Sequence, residues 1–203
     1  MAPPQKHRQP IIDAAVRSFR RNGYSATGIN DIIDLSGAPK GSLYHYFPEG
    51  KTSIAVAAIA DAGDRIVASL EMLARTSATV GDLILAYAEL LGKWLAASDY
   101  RDGCPMTTVL LELAPQTWHV TEAGRKAFGI RNDFLMRRLV GDGYSEDRAR
   151  SLALLCTTSL QGALVEARIA RSKLPIRMVA QELSHILKAS LPDKNGGRSA
   201  PPR

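Results

Sequence analysis

The segment 29–47 constrains the fold of this chain more than any other part of the sequence. It reads INDIIDLSGAPKGSLYHYF, with Ser36-Gly37 separating two short helical patterns. A helix-turn-helix needs two short helices held at a steep angle by a small turn residue. We expect Gly37 to be that residue, because any side chain there would crowd the two helices. The segment therefore predicts a helix-turn-helix.

The second helix of this motif has two chemically different sides. Leu43 and Phe47, four residues apart, are expected to face the core. Lys40 and Tyr44, also four apart, share another side, whose cationic and hydroxyl groups suit phosphates and base edges. Gly41 lets the backbone approach closely. The residues predicted to bind DNA are Thr27, Lys40, Gly41, Ser42, Tyr44, His45, Tyr46 and Lys51.

Two of these assignments, Thr27 and Tyr46, have a structural alternative. Thr27 and Lys51 are included because each lies at a predicted helix N-terminus, where a side chain and neighbouring amides can face a phosphate. A capping threonine needs no DNA to explain it, however. Tyr46 could pack against the fourth helix instead of touching phosphate.

The rest of the chain has helical periodicity almost throughout, and alternating strand patterns are scarce. The predicted helices cover 9–22, 28–35, 39–46, 51–76, 80–97, 107–114, 121–140, 145–172 and 175–190. The prediction is an all-α protein of about nine helices. An N-terminal three-helix DNA-binding domain (5–50) precedes a helical ligand-binding and dimerisation bundle (51–191), and 192–203 is expected to be a disordered tail.

Charge and composition narrow the class of function. The net charge of +6 favours polyanionic partners. Cys104 and Cys156 lie in apolar stretches, as reduced thiols do, and neither a secretory signal nor a membrane-length apolar run is apparent, so we expect a cytoplasmic protein without membrane contact. The four histidines are scattered, and neither a phosphate-binding glycine loop nor a nucleophile elbow is apparent. We therefore expect no catalysis, no cofactor and no metal.

The stretch 11–59 resembles the N-terminal domain of the TetR family of bacterial regulators. The resemblance rests on Ala14-Ala15, Phe19, Asn22-Gly23-Tyr24, Thr27-Gly28-Ile29, Asp31-Ile32 and the run 37–47. Two features depart from the family pattern. Gly28 stands where serine or threonine is common, which would remove one phosphate contact, and residues 48–50 lengthen the turn before Lys51.

That longer turn, together with GCPMT at 103–107 and LELAP at 111–115, resembles a subgroup typified by repressors of lincomycin-resistance pumps. The family resemblance implies a homodimer, in most members a repressor. It also implies release of a palindromic operator when a small-molecule inducer enters the C-terminal domain.

Two sets of C-terminal residues follow from this expectation. Apolar and aromatic residues at helical spacing line either a cavity or a plain core, and Gln161 and Thr158 would supply polar contacts. The predicted ligand-binding residues are Tyr87, Leu91, Trp94, Met106, Leu110, Trp118, Phe134 and Gln161. Small and apolar residues on the last two helices either close the monomer core or form a four-helix dimer interface, which we favour. The predicted interface residues are Leu152, Cys156, Ser159, Ala163, Ala167, Val179, Leu183 and Ile186.

Two other functions remain open at this stage. The departure at Gly28 is compatible with a protein-interaction or ligand-sequestering bundle whose helix-turn-helix no longer binds DNA. A DNA-binding regulator without a small-molecule ligand fits the same pattern.

Overall fold

The computed structural model describes residues 6–191, and within that range every regular element is a helix. The helices are α1 (Arg8–Asn22), α2 (Ile29–Ser36), α3 (Lys40–Tyr46), α4 (Lys51–Ala74), α5 (Val80–Ala97), α6 (Pro105–Leu113), α7 (Trp118–Asp142), α8 (Glu146–Ala170) and α9 (Leu174–Ala189). The all-α prediction is confirmed. Position 5 and the predicted tail at 192–203 lie outside the described residues. Within residues 6–191, no helix is both long and apolar enough to span a membrane.

The N-terminal helices share one hydrophobic core. Phe19 of α1, Ile32 of α2 and Leu43 of α3 are fully buried there, together with Ile54 of α4. Met106 of α6 packs into the same core. The three-helix unit is therefore not closed by its own helices, because α4 and α6 complete its interior.

A second core lies between α5, α7, α8 and α9. Leu83, Leu139, Leu152 and Ile176, one from each helix, are buried in it. Leu70, near the end of α4, also belongs to this core, whereas Ile54 and Ile59 at its start belong to the first. α4 thus passes from one core to the other and connects the two domains mechanically.

The turn between α2 and α3 depends on Gly37 for a reason that differs from our prediction. Gly37 has φ +64°, and its N–H donates to the Ile33 carbonyl oxygen at 3.0 Å, which closes α2 with a left-handed cap. A Cβ at this position would meet no atom within 4 Å. The crowding explanation is therefore wrong. Glycine is favoured because a side chain disfavours a positive φ.

The start of α2 also differs from the prediction that Thr27 caps it. The N-cap is Gly28, whose N–H donates to a carboxylate oxygen of Asp31 at 2.8 Å. The Thr27 hydroxyl donates instead to the Gly23 carbonyl oxygen at 2.7 Å, and the residue is only 1% exposed. Thr27 therefore stabilises the α1–α2 loop from inside.

Candidate nucleic-acid interface and ligand cavity

The helix α3 holds one side chain inward and presents several polar groups outward. Leu43 is fully buried, and Phe47, immediately after the helix, is nearly so. Between and beside them, Lys40, Tyr44 and His45 are exposed, with 47% of Tyr44 accessible to solvent. The predicted inner and outer sides of the helix are therefore the observed ones, because the buried residues recur every four positions.

The outer side of α3 is also open to a close approach. A Cβ at Gly41 would meet no atom within 4 Å. Ser42 and Tyr46 are partly exposed, and the rings of His45 and Tyr46 meet edge to face with centroids 5.0 Å apart. Hydroxyl, imidazole and ammonium groups of one short helix thus form a continuous polar surface that a duplex can contact.

Two predicted DNA contacts are placed differently. The Lys51 ammonium donates to the carbonyl oxygens of Tyr24 and Thr27, both at 2.7 Å, and lies 4.2 Å from the centroid of the Tyr24 ring. Burial lowers the pKa of Lys51, and the nearby charge of Glu112 only partly offsets this. Lys51 therefore fastens the α1–α2 loop to α4. The buried Thr27 hydroxyl is likewise occupied, so we no longer assign either side chain to phosphate.

The same loop is held from the C-terminal domain by a residue that sequence reasoning missed. Glu112 of α6 accepts hydrogen bonds from the backbone N–H groups of Tyr24 at 2.7 Å and Ser25 at 2.8 Å. Burial acts to raise the pKa of Glu112, but the hydrogen bonds from Ser25 and Tyr24 and the charge of Lys51 bring it below its ordinary value. No local pattern marks a contact between segments so distant in the chain.

A second link joins α1 to the loop before α6. The N–H of Gly103 donates to the Arg20 carbonyl oxygen at 2.6 Å, and the Arg20 guanidinium donates to an Asp102 carboxylate oxygen, also at 2.6 Å. A movement of the segment 102–105 would therefore be transmitted directly to α1.

A cavity of about 480 Å³ lies beside this segment, between α1, α4, α5, α7 and α8. Of the residues predicted to bind a ligand, Tyr87, Leu91, Trp94 and Gln161 line it. Tyr87 is buried, and burial raises the pKa of its phenol, so the hydroxyl stays neutral. The Gln161 side-chain amide donates to the Thr107 hydroxyl of α6.

The other predicted ligand-binding residues do not line this cavity. Met106 and Leu110 pack with the N-terminal core, and Phe134 packs against the C-terminal core. Trp118 is 63% exposed, and its ring lies 5.9 Å from the Arg125 guanidinium carbon. Sequence periodicity could not separate these residues from the cavity lining, because apolar residues at helical spacing suit a core, a cavity wall or a surface equally well. Four charged residues also line the cavity and were missed, because no pattern along the chain shows which charged side chains meet between distant helices; they are Arg20, Arg65, Asp102 and Arg131.

Most of the predicted dimer residues belong to the protomer core. The inward-facing members of the set are Leu152, Cys156, Ala163, Ala167 and Leu183. Their side chains contact neighbouring helices of the same chain, so they are unavailable to a second copy, and the assignment is corrected. Burial also raises the pKa of Cys156 to about 12, so its thiol stays protonated. Ser159 and Val179 are half-buried, and Ile186 is exposed.

A helix-turn-helix with an exposed polar helix, joined to a helical domain, defines the class of DNA-binding transcriptional regulators. Comparisons with known proteins agree. Residues 11–58 match the model of bacterial regulatory proteins of the tetR family, and residues 81–182 match the C-terminal domain of LmrA/YxaF-like transcriptional regulators. The chain belongs to the TetR family, and both resemblances noted in the sequence are confirmed.

Individual relatives extend over nearly the whole chain. An uncharacterized HTH-type transcriptional regulator of Mycobacterium tuberculosis (strain H37Rv) is 32% identical over 94% of this chain and 99% of its own length. The HTH-type transcriptional regulator LmrA of Bacillus subtilis is 27% identical over 89% and 96%. Among solved structures, the regulatory protein TetR from Rhodobacter sphaeroides superposes with a TM-score of 0.77 at 18% identity, covering 88% of this chain and 97% of that one.

Proposed function

We propose that this chain is a homodimeric repressor that binds a palindromic operator through α3 and releases it when a small apolar molecule enters the cavity. The observation that carries the proposal is the exposed side of α3, where Lys40 and Tyr44 are held outward by the buried Leu43. Two copies of such a helix, one turn of DNA apart, would enter successive major grooves. The Lys40 and Tyr44 side chains, with Ser42 and His45, would contact phosphates and base edges.

The proposed dimer interface is the outward side of α8 and α9. On α8, Leu154, Val165 and Ile169 are exposed and recur at helical spacing, and Gly162 between them has an open surface. On α9, Leu174, Met178 and Ile186 are exposed as well. Exposed apolar side chains recurring along two neighbouring helices suit a symmetric four-helix contact. Of the predicted interface residues, Ile186 therefore remains in the proposed interface. The buried residues of the predicted set are replaced by the exposed residues of α8.

Ligand release would act through the segment 102–105 and α4, both of which border the cavity. A molecule that fits the cavity better in one arrangement of this segment would shift α1 through the contacts of Arg20. The ligand can weaken operator binding only as far as it prefers the DNA-free arrangement over the DNA-bound one. A coupling free energy of about 1–3 kcal/mol is typical. We propose that residues 5–50 bind DNA and that residues 51–191 bind the ligand and the second protomer. This boundary separates two functions and not two independent cores, since α4 packs with both cores. We place the protein in the cytoplasm.

The test of DNA binding is a gel shift with the DNA flanking the gene of this chain. We expect Lys40→Ala and Tyr44→Ala each to weaken DNA binding, and the double variant to weaken it about 100-fold or more. Neither substitution should change the circular dichroism spectrum. Lys126→Ala, an exposed lysine of α7, is the matched control and should bind as the wild type does. The affinity should also fall steeply with salt, because phosphate contacts release counterions. Wild-type binding by both α3 variants would contradict the proposal.

A further inference from the structure

Arg131 of α7 is a buried cation in the wall of the cavity. It is 8% exposed, and it lines the cavity together with Tyr87 and Cys104. Among residues 6–191, no hydrogen bond or ion pair engages its guanidinium, and its Nε atom is fully buried without a partner. The ring of Phe128 lies against the guanidinium, with its centroid 4.6 Å from the guanidinium carbon, and the neutral Cys104 thiol and Tyr87 phenol are close to it.

The other charges around the cavity are balanced within the protein. Arg20 pairs with Asp102, and Arg65 pairs with Asp61, with 2.7 Å between nitrogen and oxygen, and with Asp13. The wall of the cavity therefore carries one positive charge without a protein carboxylate beside it. Burial lowers the pKa of Arg131 from its ordinary value, but arginine remains protonated in proteins.

We propose that the cavity binds an organic acid, an apolar ring system bearing one carboxylate or sulfonate that pairs with Arg131. The proposal rests on the proposed function, in which this cavity is the ligand site, and narrows its ligand from an apolar molecule to an apolar anion. The planar guanidinium matches two acidic oxygens at once. Leu91, Trp94, Leu135 and Leu160 provide apolar walls for the rest of the molecule.

Neutral and cationic ligands fit this arrangement less well. A neutral apolar molecule would fill the cavity and leave the guanidinium buried without an anion, which is unfavourable. A cation would be repelled by Arg131 itself. An anion pairs with the charge inside a poorly hydrated cavity, where the attraction is stronger than at the surface. A buried and unpaired arginine therefore selects for negative charge.

The test uses two fluorescent probes that differ by one acidic group. These are 1-anilinonaphthalene-8-sulfonate and the neutral N-phenyl-1-naphthylamine, each titrated into the full-length protein. We expect the wild type to bind the sulfonate about tenfold or more tightly than the neutral probe. Arg131→Met should abolish this preference by weakening sulfonate binding alone, and Arg131→Lys should retain part of it. Arg125→Met, an exposed arginine on the same helix, is the control and should leave both affinities unchanged.

A thermal melt of the unliganded variants separates a ligand-binding role from a structural one. Replacing a buried, unpaired cation with an apolar residue of similar length should keep or raise the melting temperature. Equal loss of both probes in Arg131→Met, accompanied by a lower melting temperature, would assign Arg131 to packing and overturn the proposal. Unchanged sulfonate binding in that variant, or no sulfonate binding by the wild type, would overturn it as well.

A gel shift with the two probes distinguishes this inference from the proposed function. Sulfonate binding that depends on Arg131 but leaves the operator bound would support the ligand class and contradict ligand-induced release. Release by the neutral probe, equal in the wild type and Arg131→Met, would support release and contradict the ligand class.

Discussion

The helices α3 and α8 each bury one side in the protein, but they differ in what lies on their outer sides. α3 buries Leu43 and exposes polar groups such as Lys40 and Tyr44. α8 buries Leu152 among its inner residues and exposes Leu154, Val165 and Ile169 on its outer side. A hydrophobic pattern orients a helix only when its other side is polar. The orientation of α3 can therefore be derived from the sequence, and that of α8 cannot.

The largest difference in the free energy of unfolding is expected between substitutions at two adjacent residues of α3, Leu43 and Tyr44. Leu43→Ala should lower the free energy of unfolding by about 2–5 kcal/mol, because it removes a fully buried side chain and leaves a cavity. Tyr44→Ala should change it by much less, about 0.5 kcal/mol, since the side chain is about half exposed and leaves no closed cavity. Urea denaturation followed by circular dichroism measures both. Equal losses would mean that the two sides of α3 are not energetically distinct.

The sequence predicted the helices and the polar side of α3 because both depend on local periodicity and capping. It did not reveal Glu112 or Arg131, whose roles depend on contacts between helices distant in the chain. It also misassigned Cys156, because a small apolar residue fits a helix contact within one protomer as well as one between two. The sequence places Lys51 at a helix N-terminus, which suggests a phosphate contact. It does not show that the carbonyl groups of Tyr24 and Thr27 lie beside the ammonium group.

The exposed apolar side of α8 can be tested as a dimer interface by placing a charge in it. Ile169→Glu should raise the dimer dissociation constant about 100-fold or more, because it places a charge in the proposed apolar interface. Sedimentation velocity across a range of concentrations measures the shift. Lys126→Glu, which changes charge on the exposed surface of α7, is the control and should leave association unchanged. A variant that dimerises like the wild type would place the interface elsewhere.

Two glycines of the helix-turn-helix separate backbone strain from crowding. Gly37→Ala should lower the free energy of unfolding by about 1–2 kcal/mol, because φ is +64° there. Gly37→Asn should cost less, since asparagine tolerates the left-handed region. Crowding would instead make the larger asparagine worse than alanine. Gly41→Ala in the open part of α3 should be neutral or slightly stabilising, because alanine favours a helix. Unfolding in urea ranks the three variants.

The smallest expected effect concerns the contact between α6 and the DNA-binding domain. Glu112 has a folded-state pKa below its ordinary value of 4.5, so the unfolded chain binds its proton more readily. Its contribution to stability is therefore complete above about pH 5 and is lost as the pH falls through the folded-state pKa. Because Glu112 is exposed and screened, we expect the contribution to stay below about 1 kcal/mol.

Glu112→Gln should therefore flatten the decline of the unfolding free energy between pH 6 and pH 3, relative to the wild type. The amide cannot titrate, and it keeps one oxygen to accept from Tyr24 or Ser25. Glu71→Gln, an exposed carboxylate of α4, is the matched control and should follow the wild-type curve. If both variants behave alike, the contact adds no pH-dependent stability. The domains would then be held together by the Arg20 contacts and by the packing of α4 in both cores.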